Sequence, residues 1–111
     1  MKKILMGLVI GVTSLVSIHA SAGYSGLAKI LTIQPHAGDR VFIKTETHNE
    51  APSCAQNLQE WAIDISTESG KAFYAAVLAA ASQNKPVEVH GSHNCTNWPD
   101  REDVLFIVVP F

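Results

Sequence analysis

The chain has 111 residues, of which 47 % are hydrophobic and 16 % charged, and its formal net charge is −2. Eight Lys and Arg face ten Asp and Glu, with no basic run, which excludes the clustered cations that grip nucleic-acid phosphates. A chain of this length supports one small domain.

Lys2 and Lys3 open the sequence with positive charge, Ile4 to Ile18 is uncharged and largely apolar, and Ala20-Ser21-Ala22 supplies small residues. That is the order of a secretory leader cleaved after residue 22. The apolar run, about 15 residues, is short for a bilayer span of about 20. No later run is long enough to cross a membrane, and no cysteine at the cut invites a lipid. The processed chain is then a single domain, residues 23–111, with six Lys and Arg against ten acidic residues. Its expected destination is secreted or periplasmic.

Leu27 to Gln34, rich in aliphatic and β-branched residues, reads as a strand that stops at the turn Pro35-His36-Ala37-Gly38-Asp39. Arg40 to His48 follows as a second strand, with Val41, Ile43 and Thr45 on one face and Phe42, Lys44 and Glu46 on the other. After the polar loop Asn49 to Asn57, Leu58 to Ser66 alternates as a third strand. There Trp61, Ile63 and Ile65 point inward and Glu60, Ala62 and Asp64 outward. The period then changes to that of a helix over Glu68 to Gln83. Ser66 or Thr67 can cap it, Glu68 suits its positive end, and Asn84-Lys85-Pro86 ends it. Phe73, Val77 and Ala80 form its apolar face. Val87 to Gly91 is a short fourth strand. Val104 to Val109 is a fifth, apolar on both faces, so its row Leu105, Ile107 and Val109 needs a second cover. The order β-β-β-α-β-β is that of an all-β fold with one helix, the five-stranded OB-fold-like Greek-key barrel.

Cys54 and Cys95 are the only cysteines. In an exported small domain an even pair reads as a disulfide; a metal or reactive-thiol pair is the rival reading. His90 and His93, with His36 and His48, invite a metal, but their spacing at a strand end lacks the closely set ligands of zinc sites. Asp100, Glu102 and Asp103 form an acidic cluster that could attract calcium or simply be solvated. Asn94-Cys95-Thr96 is formally a glycosylation sequon. No nucleophile elbow, Cys/His dyad or phosphate loop is present, so the chain reads as a non-enzyme without cofactor. Trp98, in a polar loop, either stacks on a sugar or a partner or plugs the end of the barrel.

Cys54, the run Trp61-Ala62-Ile63-Asp64-Ile65-Ser66-Thr67, Phe73-Tyr74 and Lys85-Pro86-Val87-Glu88-Val89 together resemble the B subunits of bacterial toxins built from one A and five B chains. The subtilase-cytotoxin and pertussis-like branch is the most similar. Pro35-His36-Ala37-Gly38 is loosely similar to a turn of that branch, and Ser25-Gly26 to a Ser-Gly near its glycan site. The resemblance implies a secreted, disulfide-bonded OB-fold that assembles as a homopentamer, partners a toxin A subunit and binds cell-surface glycans. It also implies that Ala72, Ala76 and Ala79 allow close helix packing around a central pore. Tyr24, Ser25, Glu46 and His48, polar or aromatic at the ends of the first two strands, are the glycan-binding candidates. The alternative is a periplasmic, non-catalytic interaction or inhibitor protein on the same fold.

Overall fold

The computed structural model describes residues 22–57 and 59–111. The expected leader therefore lies outside the described residues except for Ala22, as does Leu58, the expected start of the third strand.

Where apolar and polar residues alternate, the chain forms strands, and these assemble into one six-stranded sheet accompanied by a single helix among the described residues. The strands are β1 (Tyr24–Ala28), β2 (Ile30–His36), β3 (Arg40–Thr45), β4 (Glu60–Asp64), β5 (Val87–Gly91) and β6 (Glu102–Val108); α1 spans Glu68–Ser82, between β4 and β5. Six strands replace the five expected because the first one, read as Leu27 to Gln34, is longer and broken. It begins at Tyr24, bends at Lys29 and runs to His36. Gly26 takes a φ of 65° inside β1, a left-handed conformation that glycine adopts at little cost, and the register against β5 shifts there.

The sheet order is β1-β5-β6-β4-β3-β2. Its two outermost strands, β1 and β2, are consecutive in the chain with only Lys29 between them. One bent segment thus bounds both edges, and the sheet curls back on itself. All pairings are antiparallel except β4 with β6, where Trp61 lies opposite Glu102 and Ala62 opposite Asp103. Gly38 at φ 83° and Asp39 at φ 59° close the three-residue turn between His36 and Arg40.

Inside lie Val41, Ile43, Trp61, Ile63, Val87, Val89 and Val104, closed over by Val77 and Ala80 of α1. The inward rows of β3 and β4 are those expected from alternation. The outer row is not solvated as expected: Phe42, Glu60 and Ala62 are buried as well. The segment before β6 folds over them. Arg101 places its guanidinium 4.1 Å from the centre of the Phe42 ring, and Trp98 meets the same ring edge-on at 5.2 Å. Arg101 also pairs with Glu60 at 2.7 Å. Trp98 therefore covers the outside of β3, half exposed, and not the end of a barrel.

Helix α1 starts where Thr67 Oγ1 accepts from Gly70 N at 2.9 Å, an N-cap of the favoured type. It ends where Asn84, at φ 54°, lets Asn84 N and Lys85 N donate back to the carbonyls of Ala81 and Ala80, a Schellman closure. The Cys54–Cys95 disulfide is formed, with Cα atoms 6.1 Å apart. It ties the loop before β4 to the loop before β6. A disulfide fits a chain that matures in an oxidising compartment. No helix among the described residues is long and apolar enough to cross a membrane.

Candidate binding face and the buried carboxylate beneath it

The row Leu105, Ile107 and Val109, read from alternation as one face in need of a cover, does not form. Ile107 and Val109 pack on the core, while Leu105, Phe106 and Val108 face out, Leu105 at 54 % and Phe106 at 44 % exposure. The cause is a β-bulge. His90 pairs with Phe106 but Gly91 with Val104, so Leu105 is an extra residue that resets the alternation.

The bulge completes an outward grid over three strands. Tyr24 of β1 lies opposite His90 of β5, which lies opposite Phe106 of β6. Their rings touch: Tyr24 and His90 have centroids 4.8 Å apart, and His90 and Phe106 stack at 4.1 Å with planes only 9° apart. The next row is Leu27, Glu88 and Val108. Tyr24 Oη donates to Glu88 Oε1 at 3.1 Å. The hydrogen bond to that carboxylate, then its charge, pushes the Tyr24 phenol above its ordinary pKa. The face thus offers a ring platform with a hydroxyl and a carboxylate at its margin.

Beneath the end of this row lies a buried polar knot. Glu102, with no exposed surface, accepts from Gly23 N at 2.8 Å, His93 N at 2.8 Å and His48 Nε2 at 2.7 Å. Burial alone would raise the Glu102 pKa; the bonds from His48, Gly23 and His93 outweigh it and hold the carboxyl below its ordinary range. His48 lies flat on Trp61 at 3.6 Å. The Trp61 indole donates to Thr45 Oγ1 at 2.9 Å, and Thr45 donates to Thr47 O. Thr47 Oγ1 in turn donates to Ser25 O.

The four residues expected to meet a glycan divide between these places. Tyr24 stands on the outer face. Glu46 is exposed but distant in role, with its carboxylate accepting from Lys29 N at 2.6 Å. Ser25 is 1 % exposed, accepting from Val89 N and donating to Gly26 O. The His48 side chain is buried against Trp61 and Glu102. Ser25 and His48 therefore do structural work where the chain stands, and only Tyr24 shares the outer face with other rings.

Sequence reasoning passed over His90 and Phe106 as parts of one row. Alternation predicts that Glu88 and His90 share the outward face of β5, but the bulge that brings Phe106 beside them leaves no trace in an all-apolar run. The acidic cluster is dispersed. Asp103 accepts from Thr96 N and Asn97 N at 2.8–3.1 Å, Asp100 contacts Arg101, and Glu102 points inward. No three His, Cys, Asp or Glu side chains converge on a common point among the described residues. A polar groove over Lys44, Gln59, Glu60 and Asp100 lies elsewhere and carries no ring.

No protein-family model, no curated protein and no solved structure matches the chain.

Proposed function

We propose that the processed chain is a secreted or periplasmic, non-catalytic binding module: an OB-type barrel of the toxin B-subunit kind whose outer β1-β5-β6 face takes a glycan. The stacked, solvent-facing row Tyr24–His90–Phe106 carries this reading. A sugar ring has an apolar face and a rim of hydroxyls; the row supplies apolar ring surface for the first and Glu88 with Tyr24 Oη for the second. The curled sheet order and the single helix between β4 and β5 support the OB reading, with β1 and β2 as two halves of one bent strand. One such face binds a small sugar weakly, and assembly into a ring of five would raise avidity through linked sites. A glycan array probed with the folded protein tests the reading. Signal that Tyr24→Ala removes supports it, and no signal above background from correctly folded protein contradicts it.

A second reading rests on a different observation. Leu27, Leu105 and Val108 expose apolar surface around the ring row, more than a sugar edge covers. On this reading the face is covered by a protein, either another copy or a target of an inhibitor. Light scattering separates the two: Leu105→Ser and Val108→Ser lower the particle mass only if the face joins copies.

A further inference from the structure

The sequence places the first residue of the processed chain at Gly23, and the structure gives its nitrogen a buried acidic neighbour. Gly23 N donates to Glu102 Oε2 at 2.8 Å, inside the protein. The only ion-pair partner of Glu102 among the described residues is His48. The other ring nitrogen of His48, Nδ1, is buried with no acceptor. The remaining donors to this carboxylate are two backbone N–H groups, and no Lys or Arg side chain reaches it among the described residues, although a buried charge is best held by a full cation.

We propose that cleavage between Ala22 and Gly23 places a cation on this carboxylate: the new α-ammonium of Gly23 forms a buried ion pair with Glu102 and locks the end of β1 to β6. The proposal rests on reading residues 1–22 as a leader. The step is a hydrolysis by a leader peptidase. Water adds its hydroxyl to the Ala22 carbonyl carbon, and the C–N bond breaks with its electron pair going to Gly23 N. That nitrogen takes the remaining proton of the water and a further proton from solvent. The nitrogen already points at Oε2, so the charge is created in place and the existing bond becomes charge-assisted.

The surroundings are shaped for this terminus. A Cβ built on Gly23 would lie 1.8 Å from Glu102 Oε1 and 2.6 Å from His48 Nε2, so any other first residue has to displace the Glu102 carboxylate or the His48 ring. Gly91 N donates to Gly23 O at 2.8 Å, pinning the new end against β5. Ala22, on the far side of the bond to be cut, is exposed.

The test compares three chains at neutral pH: one starting at Gly23 with a free amine, the same chain acetylated on Gly23, and one starting at Ala22. The free-amine chain is expected to melt about 5 °C above the other two, and Glu102→Gln to erase the difference. Because Glu102→Gln can fail to fold, acylation of the α-amine by an activated ester is followed as well. In the folded chain that starts at Gly23 the amine should react more slowly than in the chain that starts at Ala22 by an order of magnitude or more. Intact mass of exported protein should correspond to a start at Gly23. Equal melting of the three chains, ready acylation of the Gly23 amine, or an exported chain that begins elsewhere overturns the proposal.

Discussion

Glu102 is a carboxylate without exposed surface, and two glycines make its position physically open to it. A Cβ on Gly91 would stand 2.0 Å from Glu102 Oε2, so Gly91→Ala must displace either the strand or the carboxylate. We expect a loss of about 1–3 kcal/mol, as for overpacked interiors, measured by urea unfolding. Acid should have a similar effect. The Glu102 carboxyl sits below its ordinary value of 4.5 in the folded protein. The folded state therefore binds fewer protons than the unfolded state between the two values. The stabilisation is fully present above about pH 4.5 and is lost as pH falls through the lower folded value. Thermal melts between neutral pH and acid should show this decline. Asp64 shifts the same way, held down by the Ser66 hydroxyl and then the Ser66 N–H, with Arg40 adding to them. None of the Glu102 chemistry is legible in the sequence, where the residue belongs to an acidic run that looks like a solvated loop. His48 is equally opaque, because nothing in its neighbours says that it lies on Trp61. Trp61, by contrast, is placed inward correctly by its alternation with Glu60 and Ala62.

At the scale of elements, helix α1 and strand β5 are legible almost to the residue. Thr67, Asn84 and Pro86 punctuate α1, and Val87 and Val89 fix the face of β5. Replacing the cap by Thr67→Ala should cost about 1 kcal/mol, read as a lower unfolding midpoint. What sequence reasoning cannot deliver is breakage within a run. The bend at Lys29 and the bulge at Leu105 both sit in stretches whose residues suit either register, so the β1–β2 split and the outward turn of Phe106 depend on pairing partners far away in the chain. Ala62 and Phe42 miss for a related reason: the loop carrying Trp98 and Arg101 covers a face that alternation assigns to water. The disulfide holds that loop's start. Its cysteines are 41 residues apart, and opening a loop of that size removes about 4 kcal/mol in the chain-entropy model. Cys54→Ser with Cys95→Ser should lower stability by up to that amount, checked by chemical unfolding against the parent under non-reducing conditions.

The described residues form a sheet curled around Trp61 and closed by α1, and the outward face of β1, β5 and β6 has not been made polar. Tyr24, Leu27, His90, Leu105, Phe106 and Val108 lie there together, whereas the outer side of β3 and β4 is roofed by the loop before β6. Covering one outer face and leaving the other bare is the physical basis for assigning recognition to β1, β5 and β6. The same contrast yields a prediction about variants. His90→Ala with Phe106→Ala should leave the melting temperature within a few degrees of the parent, since neither side chain belongs to the interior, yet it removes the ring platform. The most direct measurement is binding of the parent and of this double variant, both confirmed as folded, to the same glycan-coated surface. The parent should bind and the double variant should lose the signal. Equal binding by the two proteins, or none by the parent, would contradict the assignment of the outer face to glycan recognition.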